Sequence, residues 1–159
     1  LAVALLLGTA ARLGAVLDLT WDRVDFDAGT INLRLDDATT RKGRAFLLMN
    51  RTTRPALLAA HEAALSDHVI EYAGKPVGSI RTGFKAAAAR AGIGHVRIHD
   101  LRHTAAVTML SEGVPLEKVS QVLGHSNTTV TFSTYARYLP QHMQDAVDIL
   151  DFGSLKRIL

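Results

Sequence analysis

Three short stretches of this chain concentrate side chains that handle phosphate and protons: His99-Asp100-Leu101-Arg102-His103-Thr104, Leu123-Gly124-His125-Ser126 and Tyr135-Ala136-Arg137-Tyr138. Arginine is planar, permanently charged and able to hold a phosphate through paired N–H bonds. Histidine is the side chain best placed to move protons near neutral pH. A tyrosine hydroxyl can attack an electrophilic centre and leave a covalent ester. Upstream, Thr9-Ala10-Ala11 leads into Arg12, and Arg41-Lys42-Gly43-Arg44 adds a strongly basic loop. Breaking a phosphodiester without metal needs a nucleophile, a cationic clamp on the phosphoryl oxygens and an acid for the leaving oxygen. Those residue types are all present.

The charge distribution points the same way. Net charge is only +3, yet Arg41, Lys42, Arg44, Arg51 and Arg54 follow one another without an intervening acid. Arg81, Lys85, Arg90, Arg97 and Arg102 are offset only by Asp100. Two basic segments in a nearly balanced chain could line one groove for a polyanion, or could be solvated surface. The absence of cysteine excludes a disulfide scaffold, a cysteine-ligated zinc site and a thiol nucleophile.

The elements that must position these groups are mostly helical. Leu5 to Trp21 reads as a helix interrupted at Gly8-Thr9. Thr30 to Leu35 alternates, with Ile31, Leu33 and Leu35 on one side, and predicts a half-buried strand; Arg44 to Met49 is its natural antiparallel partner across the loop Asp36 to Gly43. Pro55 to Leu65 predicts an amphipathic helix with Leu57, Leu58, Ala64 and Leu65 on one side. Val69 to Tyr72 and Lys75 to Val77 predict short strands around Ala73-Gly74. Helices follow over Gly83 to Ala91, Thr104 to Leu110, Pro115 to about Leu123, Asn127 to Tyr138 and Gln141 to Leu150. With 159 residues, 48% apolar and 21% charged, the expectation is one α+β domain. It is predominantly helical, with a small antiparallel β-sheet near its N-terminus. The uncharged apolar run Leu1 to Ala11 is far short of the roughly 18 residues of a membrane span and has no basic segment ahead of it. The chain starts on Leu inside an apolar stretch, and we expect a fragment whose N-terminal part is missing.

At this point the sequence resembles the tyrosine recombinase, or phage integrase, family. The family's His-x-x-Arg element matches His99 and Arg102, its Leu-Gly-His element matches Leu123 to His125, and its nucleophilic tyrosine matches Tyr135. Thr9 to Arg12 followed by Leu17-Asp18-Leu19-Thr20-Trp21 is similar to its first arginine motif, and Arg41 to Arg44 sits where the family places a lysine between two strands. Five motifs in order cover Thr9 to about Pro140. The chain departs from the pattern at Ala10, where the family has glycine, and at Ala15, where it usually has an acid.

The resemblance implies a site-specific DNA recombinase that cleaves and rejoins strands through a 3′-phosphotyrosine. In that scheme Tyr135 is the nucleophile, Arg12 and Arg102 hold the non-bridging oxygens and His99 assists proton transfer. His125 donates a hydrogen bond to the phosphate, and Lys42 is the general acid for the 5′ oxygen. Arg41, Arg44 and Arg81 are expected to contact DNA. The resemblance further implies double-stranded DNA as partner, self-association into a tetramer, no membrane and no metal or nucleotide cofactor. It implies a cytoplasmic, bacterial or phage-encoded protein. Residues 1–159 would form the catalytic domain alone, without the family's N-terminal DNA-clamping domain. A helix over 141–151 would either fold back on its own domain or dock on a neighbouring copy.

Plainer readings compete. Arg12 could be a helix-surface arginine, Lys42 a solvated loop lysine with Arg41 as its rival, and Tyr135 a core aromatic with Tyr138 exposed instead. His95, His99 and His103 at four-residue steps would form a metal-binding row on a continuous helix, but Gly92 and Gly94 argue against a helix that includes His95. Arg102, at the expected start of a helix, is expected to be held for a phosphate rather than for the core. A non-catalytic DNA-binding regulator is the alternative from another class, because Thr104 to Leu123 reads as helix, turn at Gly113, helix. Its second helix, Pro115 to Leu123, is mostly apolar with one lysine and one glutamate, a pattern for packing rather than for a DNA groove. A degenerate recombinase-like domain that binds DNA without cutting it is a third reading, hinted at by Ala15.

Overall fold

A computed structural model describes residues 1–34, 46–125 and 127–136. The chain begins with α1 (Ala2–Thr9) and α2 (Leu13–Leu17). The break between them falls at Ala10 to Arg12, just beyond the expected Gly8-Thr9, because Ala10 adopts a left-handed conformation (φ 51°). Thr9 Oγ1 donates to Leu5 O (2.6 Å) and accepts from Ala11 N (3.3 Å), closing the end of α1. Gly8 serves a different purpose: a Cβ there would collide with Thr53 Cγ2. It is the close-approach point between α1 and α3 (Thr53–Glu62).

A three-stranded antiparallel sheet follows, with β1 (Val24–Asp25), β2 (Thr30–Asn32) and β3 (Phe46–Leu48) in that order. Ile31 pairs with Val24 on one side and Leu47 on the other. Ile31 and Leu33 are fully buried, as the alternation requires. β1 was not anticipated, since two residues are too few to show periodicity. The Asp36 to Gly43 loop lies outside the described residues. Asn50, two residues ahead of the N-cap of α3, accepts from Thr52 N (3.0 Å) and Thr53 N (2.8 Å) through its Oδ1. Of its expected apolar side only Leu57 is buried: Leu58 lies one step around the helix, and Leu65 falls beyond the helix end. The hairpin β4 (Glu71–Tyr72) and β5 (Lys75–Pro76) turns at Ala73 and Gly74, both at positive φ, as expected.

Four helices complete the described chain: α4 (Arg81–Arg90), α5 (Ile98–Ser111), α6 (Leu116–Leu123) and α7 (Thr128–Tyr135). The structure starts α5 six residues before the expected Thr104. Asp100 explains the difference. Its carboxylate accepts the Arg97 backbone N–H (2.9 Å) and pairs with the Arg97 guanidinium (2.8 Å), closing the first turn from within a polar run. His99, Arg102 and His103 thereby share one helix at i, i+3 and i+4. Gly124, at φ 63°, ends α6 in a left-handed turn that a side chain would resist.

Two apolar clusters form the interior. The first joins α1, α2, the sheet and α3 through Leu5, Leu6, Val16, Leu19, Ile31 and Leu57. The second joins α5, α6 and α7 through Ala106, Leu110, Val119, Leu123 and Tyr135, and reaches Ala10 at the end of α1.

Candidate functional site

Arg102 sits where α1, α5 and α6 converge and is only 4% exposed. Its Nη1 donates to Ala10 O (2.6 Å) and its Nη2 donates to Leu123 O (2.8 Å). The same Nη2 lies 3.0 Å from His125 Nε2. Arg102 therefore has a structural role in the core that the sequence did not show. One guanidinium ties the α1–α2 break to the end of α6, and it does so from a buried position. None of these bonds goes to a carboxylate, so the positive charge is fixed without being neutralised. Burial, then the charge of Arg12, lower Arg102 to about 10, leaving it cationic at neutral pH.

The geometry also fixes the state of His125. A guanidinium only donates, so His125 Nε2 must accept from Arg102. The ring proton is then on Nδ1, which lies 2.7 Å from the Oγ1 of the fully buried Thr131 on α7. Burial, followed by Arg102 and Arg12, pushes His125 down to about 4. His99 is lowered as well, by burial and then by His103, Arg102 and Arg12. Both rings take up protons less readily when folded than when unfolded, where histidine titrates near 6.5. The stability His125 confers is therefore complete above about pH 6.5 and is lost as pH falls toward about 4, and His99 acts in the same direction. We expect the denaturant midpoint to decline across that window, and His125→Gln to flatten the decline. Parallel slopes for the two proteins would contradict this assignment.

Arg12 stands exposed at the N-cap of α2, close enough to lower His99, Arg102 and His125 together. Ala15, at the position where an acid was expected, is 3% exposed within the first apolar cluster, so its side chain faces the core. Asp18 is the C-cap residue of α2, its backbone N–H bonded to Gly14 O and Val16 O. The charge of Arg12 acts on Arg102, so two guanidiniums lie near one another, a pairing suited to an anion.

Tyr135 ends α7. Its ring is packed in the second cluster, 3% exposed, which agrees with the plainer reading of a core aromatic. Its hydroxyl, however, lies 2.7 Å from His103 Nδ1, and the ring of His103 meets that of His99 edge-on at 4.7 Å. Arg12, His99, Arg102, His125 and Tyr135 thus come together from four separate parts of the chain. Lys42, Arg41, Arg44, Tyr138 and the helix expected at 141–151 lie outside the described residues.

A cavity of about 700 Å³ opens beside this cluster. Leu13, Phe84 and Ala88 supply its apolar wall, and Arg81, Lys85 and Arg102 are among its charged lining. Arg97 faces the same cavity but is engaged with Asp100, so the second basic segment is less open to a polyanion than its sequence implied. His95 lies before the start of α5, so the histidine row is not continuous. Among the described residues no group of three or more His, Asp or Glu could hold a metal ion. No described helix is long and apolar enough to cross a membrane. In α6, Val119, Ser120 and Leu123 are buried, which is the packing role its composition implied.

Two site residues went unassigned in the sequence. His103 was weighed only as part of a metal row, and Thr131 lay in a polar run. The available signal was the four-residue step from His99 to His103, which becomes informative once α5 is known to begin at Ile98.

The model of the phage integrase family matches residues 1–142, and the chain belongs to that family. It is 40% identical over 62 residues to the XerC-like tyrosine recombinase of Caldanaerobacter subterraneus subsp. tengcongensis, covering 39% of this chain and 16% of the relative. It is 28% identical over 161 residues to the tyrosine recombinase XerA of Thermococcus kodakarensis, covering 92% of this chain and 53% of the relative. The chain therefore spans about half the length of that relative. The Tn1549 transposon integrase, solved in complex with transposon right end DNA, shares the fold. Its TM-score is 0.71 at 20% identity, over 84% of this chain and 53% of that one.

Proposed function

We propose that this chain is the catalytic domain of a site-specific recombinase acting on double-stranded DNA through a 3′-phosphotyrosine. The observation that carries the reading is the pair Arg12 and Arg102, with no carboxylate bonded to Arg102 among the described residues, grouped with His125, His103 and Tyr135. Tyr135 Oη attacks phosphorus, the Oη–P bond forms, and the P–O5′ bond breaks. Lys42 gives the departing 5′ oxygen its proton. Attack by a 5′ hydroxyl on the phosphotyrosine reverses the step, so the bond is exchanged and no nucleotide cofactor is needed.

Arg12 and Arg102 take the non-bridging oxygens. Among the described residues, three of the five guanidinium N–H donors of Arg102 are engaged, with Ala10, Leu123 and His125, which leaves two for phosphate. A phosphate entering beside His125 competes for the Arg102 contact and raises the ring's affinity for a proton. His125 Nε2 then turns from acceptor to donor toward the phosphate. Arg81, on the cavity wall, and Arg41 and Arg44 bind the flanking backbone. The same reading takes the chain as one catalytic unit of a cytoplasmic protein that assembles as a tetramer on DNA, with the 141–151 helix docking on a neighbouring copy.

The test uses a pool of nicked duplexes with randomised flanks, incubated with the chain in the presence of a chelator. The expected result is a DNA adduct stable to detergent and unaffected by chelation. An adduct that vanishes with chelator would overturn metal independence. Retention of duplex without any adduct would favour the regulator or degenerate reading instead.

A further inference from the structure

We propose that His103 is the proton acceptor for Tyr135, an inference that rests on the reading of Tyr135 as nucleophile. A phenol ordinarily ionises near pH 10 and is a poor nucleophile while it keeps its proton. His103 Nδ1 lies 2.7 Å from Tyr135 Oη, within direct transfer distance. The role requires the tautomer with its hydrogen on Nε2, leaving the Nδ1 lone pair toward the hydroxyl.

The other two histidines of the site make different contacts. His125 has Nε2 against Arg102 and Nδ1 against Thr131. His99 presents its ring to the ring of His103. Both partners of the proposed transfer are held by the fold. His103 stands on the second turn of α5, half-buried, and Tyr135 is anchored in the apolar cluster at the end of α7. The ionisable groups around the pair are His99, Asp100 and Arg102 on α5, Arg12 at the head of α2 and His125 after α6. As the Oη–P bond forms and the P–O5′ bond breaks, the phenolic proton passes to Nδ1, and the 5′ oxygen leaves with the proton of Lys42. In the reverse reaction both protons return.

The test compares His103→Asn and His103→Gln with the unaltered chain on nicked duplexes recovered from the randomised pool. Each duplex is made with either oxygen or sulfur at the 5′ leaving position. The asparagine amide can accept the tyrosine hydrogen bond but cannot take the proton. Sulfur departs without an acid, so it rescues a defect in leaving-group protonation and leaves a defect in nucleophile activation untouched. We expect both variants to fold and bind duplex normally, as read by circular dichroism and gel shift. We expect adduct formation to fall about 10²- to 10⁴-fold on both substrates. The variant rates should rise with pH more steeply than those of the unaltered chain. Variant rates within about threefold of the unaltered chain, with parallel pH profiles, would overturn the assignment, as would full rescue by sulfur. An unaltered chain that forms no adduct would instead overturn the recombinase reading itself. The two failures are distinguished by that control. The two variants are scored separately, so misfolding of one leaves the other to decide.

Discussion

Tyr135→Phe is expected to abolish the covalent DNA adduct while leaving the domain folded and able to bind duplex. The substitution removes one oxygen. The ring keeps its place among Leu110, Val119 and Leu123, and the hydrogen bond to His103 Nδ1 is lost. A hydrogen bond of that kind contributes about 0.5–1.5 kcal/mol net, a modest part of the stability of a domain this size. The chemical consequence is total, because no nucleophile remains to form the ester. The checks are a denaturant melt, a gel shift and a detergent-stable adduct assay on one preparation. A variant that still forms adduct would remove Tyr135 from the chemistry.

Arg102→Ala has the second large effect, and it is a double one. The guanidinium satisfies two buried carbonyls, those of Ala10 and Leu123, and holds His125. Leaving a buried polar group without its partner costs about 1–3 kcal/mol, and two are left here. We therefore expect a clear fall in the denaturant midpoint, where the sequence alone suggested a folded but inactive variant. Removing a preorganised donor to a transition-state oxygen lowers the rate by about 10²- to 10³-fold beyond any loss of folded protein. Arg102→Lys keeps a charge near the phosphate but cannot span the same three acceptors from one ammonium. It should fall between the two proteins in both stability and adduct rate. An alanine variant as stable as the unaltered chain would contradict the structural role of Arg102.

The parts of the fold written in local chemistry were legible in the sequence. Gly124 ends α6 just behind Pro115 at its head, and Ala73-Gly74 turns the small hairpin, because breakers and turns act on their own neighbours. The start of α5 was not legible. His99 to His103 is polar apart from Leu101, so no apolar period announces a helix, and the turn is closed by the Arg97–Asp100 pair. The burial of Arg102 was invisible for a different reason. Its carbonyl partners lie 92 and 21 residues away, and a charged side chain carries no sign of being needed inside. The candidate site itself was largely readable, since Arg12, His99, Arg102, His125 and Tyr135 were all singled out and the fold groups them. What sequence could not supply was their state: that Arg102 fixes the tautomer of His125, and that His103 faces Tyr135.

The central claim is that Tyr135 becomes covalently joined to DNA, and trypsin offers a direct test of it. Cleavage after Lys118 and Arg137 releases a peptide that contains Tyr135 and separates it from Tyr138. The adduct formed on nicked duplex would be trimmed with nuclease, digested and weighed by mass spectrometry. The account predicts a phosphonucleotide on the peptide that spans Val119 to Arg137, located at Tyr135 by fragmentation. A modification on the peptide that begins at Tyr138, with none at Tyr135, would contradict it.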